Sequence, residues 1–464
     1  MRTIPALKLC EIMEGSLVRG DANLPLRGIM SRCLSARPGL IYFDIAGGKP
    51  GNENILEAIS RGASGIVVSR HKKTLPFEDP DILVIAVPKV GEAFWKAVKY
   101  YRDLHDIPIV GVTGTSGKTT TKEMLASIFR LRWKTLKTIG NLNLPHYVPS
   151  HIMRLNYGYE AAVFEIGMNR PGHISKQSRV IRPRVGIITH IGEGHVEHLG
   201  SFENVIKEKA GIIEGIPDDG FLLLNADDPN TEKIDYSGFK GKVLYYGLKN
   251  KAHFNAGNIT FDKRGTSFKA VIDGQEHEFF IPTFGEHNVS NALAAIVAAR
   301  LLDLDVNMIR KGLAKYRKPA MRLQLLRGIR NSTLINDTYN ANPGSMMAGL
   351  EVLSALSRGE TGIAVLGNML EQGENAVENH RKVGKRAAEL KIDWLITVGR
   401  LAKQIATGAA LNSDRMRIWS FLLKKQAVQF LRETIPESSV VLVKGSRGSY
   451  METVIRGLRR ERSQ

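Results

Sequence analysis

The segment from Pro108 to Met124, PIVGVTGTSGKTTTKEM, constrains the fold more than any other stretch of the chain. The apolar run from Ile107 to Val112 predicts a buried strand. Gly114, Thr115, Ser116 and Gly117 follow, then Lys118, Thr119 and Thr120. Met124, Leu125, Ile128 and Phe129 then recur at helical spacing. Strand, glycine-rich loop, lysine–threonine and helix, in that order, form a phosphate cradle. The glycines let backbone N–H groups turn inward on phosphate oxygens, and the positive end of the helix points at the same place. In such a cradle Lys118 reaches the β- and γ-phosphates and the Thr119 hydroxyl holds Mg²⁺. The general form of the motif has glycine at position 112, where this chain has Val112.

At 464 residues the chain is too long for one ordinary domain, and about 150 residues per domain predicts three. Strands expected at Leu40–Ile45, Ala63–Val68 and Ile82–Val87, with a helix near Ile55–Arg61, make residues 1–100 a small α/β unit. Residues 101–317 hold the phosphate loop and strands expected at Ala161–Ile166, Val185–Ile191 and Phe221–Asn225. This is the pattern of a parallel, P-loop ATPase-like sheet. Pro319 marks a linker. Residues 318–464 alternate helices with strands expected at Thr333–Asn336, Gly362–Leu366, Trp394–Val398 and Val440–Val443, a doubly wound, Rossmann-like sheet. Such sheets bind ligands at the carboxyl ends of their strands. The fold class is therefore α/β in three domains.

No apolar run approaches the ~20 residues that span a bilayer, and the first residues lack the apolar core of a signal peptide. Two cysteines, Cys10 and Cys33, are too few for a disulfide framework or a zinc cluster. These features fit the cytoplasm. The net charge of +19 attracts anions, with nucleotide-linked substrates and nucleic acid as the two candidates. The basic residues are scattered, and the one local run, RGLRRERSQ, has no interleaved aromatics for stacking bases. It reads as a solvated helix end, which argues against nucleic acid.

Several residues outside the loop carry chemical information. Glu165 sits near the end of an apolar strand, where a carboxylate is costly unless it is paired or holds metal; both readings stand. His195 follows the next strand in a glycine-flanked turn, where ligand-binding residues collect, though a lone histidine also serves packing. Phe202, Val205, Ile206 and Ile213 mark the inward stripe of the following helix, and Lys209 falls on it, while Lys207 and Glu208 fall outside. An inward lysine must snorkel, pair or be modified. Asn288 and Asn291, one helical turn apart, suit either a planar adenine edge or helix capping. Arg322 follows the linker and can reach anionic oxygens across the domain boundary. The segment Asn336–Ser345 is dense in hydrogen-bonding groups. The segment Val443–Gly448 combines cations with backbone donors, which suits a carboxylate.

These segments, in this order, resemble the Mur ligase family, and within it most closely the MurF group, which joins D-alanyl-D-alanine to UDP-N-acetylmuramoyl-tripeptide. The loop form TGTSGKTT carries the resemblance, with EIGMN at 165–169, GEGHVEHLGSFENVIKEKAGII at 192–213, FGEHNVSNALAA at 284–295, NDTYNANPGS at 336–345 and VKGSRG at 443–448. It implies an ATP- and Mg²⁺-dependent amide ligase of peptidoglycan precursor synthesis that works through an acyl phosphate. It implies catalytic roles for Lys118, Glu165, His195 and Lys209, and metal contacts from Thr119, Glu165, His195 and Lys209. Lys209 takes the place of the lysine that many Mur ligases carbamylate to N-carboxylysine. ATP contacts are implied at Gly114, Thr115, Ser116, Gly117, Lys118, Thr119 and Thr120, and at Asn288, Asn291, Arg322 and Asp337. The implied substrate contacts are Ser31, Arg32, Asn141 and Asn143, with Tyr339, Asn340, Asn342, Lys444, Ser446 and Arg447 from the third domain. The implied partners are ATP, a UDP-linked muramoyl peptide and D-alanyl-D-alanine, bound by a monomer without nucleic acid or membrane span. The chain departs from the group's pattern at Met30-Ser31-Arg32, AGGKPGNEN (46–54), LPHYVP (144–149) and Gly367-Asn368-Met369. Most of these changes lie where the UDP-sugar peptide would be recognised. The alternative is therefore a Mur-type ligase that joins an amine or amino acid to a different carboxylate.

Overall fold

The computed structural model describes residues 3–45, 52–72, 74–155, 158–192, 196–262 and 264–459. Among these residues the strands form a five-stranded, a nine-stranded and a six-stranded sheet, with a small two-stranded ribbon near the amino terminus. Each large sheet is mainly parallel, so its central strands are covered on both faces and their sequences are almost wholly apolar. The strands at Val185–Ile188, Trp394–Val398 and Val440–Lys444 are buried at every position. No described helix is long and apolar enough to cross a membrane.

The first sheet runs Ser16–Arg19, Leu83–Val87, Gly65–Ser69, Leu40–Phe43, Gly28–Met30, with the first of these antiparallel and the last an open edge. The helix Val90–Asp103 packs on this sheet and ends three residues past the boundary expected at 100. It also carries the joint to the central domain. Buried Arg102 donates to the carbonyls of Ile181 at 2.7 Å and His105 at 2.8 Å, while Phe94, Ala97 and Tyr101 join one continuous apolar core with Ile174 and Ile181.

In the central sheet, Ile109–Thr113 lies between Ala161–Glu165 and Val185–Ile188. Val112 is level with Glu165, and Thr113 with Ile188, so the loops after all three strands leave the sheet together. Two further antiparallel strands, Gly265–Ile272 and Gln275–Ile281, extend this sheet after Phe254–Asp262. The sequence reading missed this extension because charged residues alternate with apolar ones there. The signal was present: Asp273-Gly274, both at positive φ, is the strongest short hairpin turn. The third sheet places Thr333–Asp337 beside Val440–Lys444, with Asp337 level with Lys444. It also contains Arg417–Phe421, a strand that sequence periodicity alone does not mark.

Phe284, from the central domain, is only 2% exposed and packs in the core of the third domain with Leu323, Ile335 and Val352. The Lys318 ammonium of the linker lies 5.1 Å from its ring centroid. One ring thus anchors the joint between the two domains. Phe284→Ala should cost about 3 kcal/mol of stability, the usual range for emptying a buried aromatic site. Denaturant unfolding followed by tryptophan fluorescence checks this, since Trp394 and Trp419 both report on the third domain. A loss within experimental error would refute the anchoring role.

Candidate active site

The phosphate loop is built by its neighbours as much as by its own glycines. Gly114 and Gly117 have φ of 140° and 88°. A Cβ at Gly114 would lie 2.2 Å from Thr189 Oγ1, and one at Gly117 would lie 2.3 Å from Asn291 Oδ1. Only glycine fits either position. The loop is stitched to the turn after Val185–Ile188. Thr115 N–H donates to the His190 carbonyl at 2.6 Å, Gly192 N–H donates to Thr115 Oγ1 at 3.0 Å, and Thr189 Oγ1 donates to the Ser116 carbonyl at 2.5 Å. The Lys118 ammonium folds back on its own loop and donates to the carbonyls of Gly114 at 2.7 Å and Thr115 at 3.1 Å. Burial lowers its pKa, the nearby Glu165 opposes that shift and Arg322 adds to it.

Glu165 is the hub. It is 3% exposed at the end of its strand. Oε2 accepts from the Thr119 hydroxyl at 2.9 Å, and Oε1 accepts from Asn143 Nδ2 at 2.8 Å. Below it lies Lys122, wholly buried, with its ammonium 3.4 Å from Oε2. Lys122 also donates to the carbonyls of Thr138 at 3.0 Å and Gly140 at 2.8 Å. The sequence reading missed Lys122. The available signal was its spacing: four residues after Lys118 and three after Thr119, it shares their helix face.

Lys209 is 1% exposed and lines the same cavity as Lys118 and Glu165. Among the described residues its ammonium has no recorded hydrogen bond or ion pair. Burial pushes its pKa well down, Lys118 pushes the same way, and Glu208 opposes them. The inward placement of Lys209 was expected; that of Glu208 was not. Glu208 does not fall outside the stripe. It is buried, and its two oxygens accept from Gly172 N–H at 2.6 Å and Ile174 N–H at 2.7 Å, capping the helix His173–Ile181. Sequence periodicity placed Glu208 on the wrong side because the helix is covered by a second helix as well as by the sheet. His195 lies outside the described residues. The turn leading to it is held by Asp228, whose Oδ2 accepts from Ile191 N–H at 2.6 Å and lies 3.2 Å from His190 Nδ1.

The third domain closes this cavity of about 920 Å³. Arg322 donates to Thr119 Oγ1 at 3.1 Å and lies over the Tyr339 ring at 4.2 Å. Asn342 Nδ2 donates to Ser116 Oγ at 3.1 Å, while its Oδ1 caps the helix Pro343–Leu356. Asp337 pairs with Lys444 and accepts from Leu323 N–H at 3.1 Å, and Lys444 donates to the Asn340 carbonyl at 3.0 Å. Asn288 and Asn291 line the cavity and form a chain. Asn288 donates to the Phe284 carbonyl at 2.7 Å, Asn291 to Asn288 Oδ1 at 3.3 Å, and Thr121 to Asn291 Oδ1 at 3.4 Å. The capping and ligand readings of Asn288 are thus compatible.

Other expected residues lie elsewhere. Ser446 is buried, donates to the Ala341 carbonyl at 3.1 Å and accepts from Leu370 N–H at 2.9 Å. Its hydroxyl ties three strand-end loops together and does not line the cavity. Arg447 is exposed and pairs with Glu452 at 2.9 Å. Ser31 and Arg32 line a second cavity of about 740 Å³, between the open edge strand Gly28–Met30 and the helix Val148–Arg154. The segment 141–154 touches both cavities: Asn141, Asn143 and Tyr147 line the first, and His146, Ser150 and Arg154 the second.

Residues 112–299 match the Mur ligase middle domain, and residues 321–447 match the Mur ligase, glutamate ligase domain. The chain is 31% identical over 464 residues to the UDP-N-acetylmuramoyl-tripeptide–D-alanyl-D-alanine ligase of Escherichia coli, covering 99% of each chain. It is similar to the crystal structure of MurF from Acinetobacter baumannii, with a TM-score of 0.85, 28% identity, and 98% of this chain and 99% of that chain covered. A solved UDP-N-acetylmuramoylalanyl-D-glutamyl-2,6-diaminopimelate–D-alanyl-D-alanyl ligase, also from Acinetobacter baumannii, is similar with a TM-score of 0.82 and 27% identity, covering 98% of each chain.

Lys122→Met removes the buried cation while keeping its length. It leaves two carbonyls without their donor and Glu165 without its closest counter-charge. Breaking a buried pair in this way costs about 3 kcal/mol or more. Urea unfolding of the variant at pH 7 should show that loss. An unchanged midpoint would mean that Thr119 and Asn143 suffice to hold the carboxylate.

Proposed function

Because the chain belongs to the Mur ligase family, we propose that it joins D-alanyl-D-alanine to UDP-N-acetylmuramoyl-tripeptide at the cost of ATP, in peptidoglycan precursor synthesis. The observation that carries this reading is the composite site. The phosphate loop of one domain is hydrogen-bonded to Arg322 and Asn342 of the next, beside a cavity that reaches toward the first domain. A terminal carboxylate oxygen of the tripeptide attacks the γ-phosphorus of ATP, and the bond to ADP breaks. The amine of the dipeptide then attacks the acyl phosphate carbon, loses a proton, and phosphate departs from the tetrahedral intermediate.

The residues present have defined parts in these steps. Gly114 to Gly117 offer backbone N–H groups to the phosphates. Lys118 turns from its own carbonyls to the transferring phosphoryl group, where its charge offsets the charge that develops. Arg322 approaches the same group from the third domain. Asn288 and Asn291 face the adenine, and Asp337 fixes the start of the third domain through Leu323. Asn141 and Asn143 line the path of the acid. Tyr339, Asn340 and Lys444 face the incoming dipeptide. Holding acid, ATP and amine together is the entropic part of the catalysis.

The donor set fits Mg²⁺. Among the described residues no three His, Cys, Asp or Glu side chains gather to hold a metal. The Thr119 hydroxyl and Glu165 carboxylate are nonetheless hard oxygen donors 2.9 Å apart at the head of the loop. That suits an ion that keeps water and phosphate oxygens as its other ligands. When bound, Mg²⁺ would neutralise phosphate charge there, with His195 as a further ligand. Lys209 fits carbamylation: a buried, unprotonated amine adds CO₂, releases a proton and becomes an anionic carbamate aimed at the same place. ATP and a UDP-linked acid are cytoplasmic reagents, and every residue named comes from one chain, so a monomer in the cytoplasm suffices.

Phosphate release with ATP, Mg²⁺, UDP-N-acetylmuramoyl-tripeptide and D-alanyl-D-alanine, omitting one component at a time, tests the reading. Release should require all four and yield the ligated mass. Lys118→Ala should lower kcat by roughly 10²–10³, the usual cost of one transition-state donor. Turnover with some other carboxylate, and none with the tripeptide, would refute the assigned substrate and leave the chemistry.

A further inference from the structure

The two cavities are joined by a basic surface that the reaction above does not use. The helix His173–Ile181 starts four residues after Asn169, which lines the first cavity. It packs against the turn Pro145–Tyr147 and the first-domain helix Val90–Asp103. In that turn Tyr147 faces the first cavity and His146 the second, with their rings 4.0 Å apart. One turn along the helix, the Lys176 ammonium lies 4.5 Å from the centroid of Trp95, next to Phe94 of the second cavity. Arg170, Lys176 and His146 are exposed and His173 is half-buried between them. All four are close enough to act on one another's charge.

No ion pair to an acid is recorded for any of the four among the described residues. Glu208 is the acidic group that acts on His173, and its two oxygens are taken by backbone N–H groups. His173 is held below the usual histidine range, first by burial and then by Arg170, Lys176 and His146. At neutral pH it is therefore a neutral imidazole that can donate one hydrogen bond. Like charges gathered without counter-ions repel, and an anionic ligand relieves that cost. Anything that reaches from the second cavity to the phosphate loop must pass this surface.

We propose that Arg170, His173 and Lys176, with His146, bind the free carboxylates of the acid substrate's peptide, and that its third residue bears a carboxylate beyond the reacting one. This rests on the reading of the acid as a UDP-muramoyl tripeptide. A D-glutamyl residue keeps one carboxyl group outside the peptide bond. A following 2,6-diaminopimelate adds a second non-reacting carboxylate, whereas a lysine adds only an ammonium. The surface offers charge-assisted hydrogen bonds to the first residue type and repels the second. The similar Acinetobacter ligase whose name specifies 2,6-diaminopimelate shows that such a substrate exists for this fold.

The test compares two acid substrates that differ only in the third residue, meso-2,6-diaminopimelate or L-lysine, with ATP and D-alanyl-D-alanine. The parent enzyme should prefer diaminopimelate about tenfold in kcat/KM, mainly through KM, as expected for one additional charge-assisted hydrogen bond. The double variant Arg170→Glu, Lys176→Glu should reverse the order. The single variant Lys176→Ala should narrow it, which keeps the test decisive if the double variant does not fold. Equal kcat/KM in the parent, a preference for lysine, or a preference that survives both variants would overturn the inference while leaving the ligase reading intact. Turnover of neither acid by the parent would overturn both.

Discussion

A carboxylate sealed at the end of an apolar strand is the constraint around which the site is arranged. Glu165 is too deeply placed to stand alone, and its surroundings answer that cost from four directions. Thr119 comes from the phosphate loop, Asn143 from the segment after Thr135–Lys137, Lys122 from the face of the loop helix, and Arg322 reaches Thr119 from the third domain. Buried charge is tolerated only with partners of good geometry. Satisfying this one group therefore fixes the relative positions of the loop, its helix and the start of the acid-binding segment. Glu208 plays the same part on the other side. By capping the helix that follows Glu165, it holds the element carrying Lys209 against the element carrying Glu165.

The site is divided among domains, and the divisions differ in kind. The first and central domains share a continuous apolar core, reinforced by the buried guanidinium of Arg102. Such a joint favours one fixed arrangement. The central and third domains meet through Phe284 at one point and through polar contacts at the loop, namely Arg322 to Thr119 and Asn342 to Ser116. Polar contacts of this kind can exchange for phosphate oxygens without exposing apolar surface. The joint that assembles the catalytic groups is thus the one that can open to admit substrates and release products. Asn342 links that joint to local structure, since the same side chain caps its own helix and touches the phosphate loop.

A long acid substrate needs a route as well as a site. The segment 141–154 supplies one. It begins beside Glu165, passes the basic surface at His146 and ends at Arg154 in the second cavity. The divergent stretch LPHYVP forms the middle of that route. The departures visible in the sequence therefore fall on the walls that face the acid, and the machinery around ATP is left untouched.

The sequence alone determined the parts whose chemistry is local. The loop TGTSGKTT, the buried strands before Glu165 and Asp337, and the inward position of Lys209 follow from composition, spacing and period within a dozen residues. Strand ends were legible to within a few positions, because a strand buried on both faces has little choice of residue. Tertiary structure decided what depends on partners far apart in the chain. Thr119 and Glu165 are separated by 46 residues, and Arg322 and Thr119 by 203. Lys122 looked like one more surface lysine until the loop 138–140 closed over it. Glu208 looked solvent-facing until a second helix offered its N-terminus, and Ser446 looked like a ligand group until two loops used up its hydroxyl. A polar side chain carries no mark of its partner. Whether it binds substrate, metal or its own fold is settled only when packing determines which unsatisfied donors and acceptors lie within about 3 Å of it.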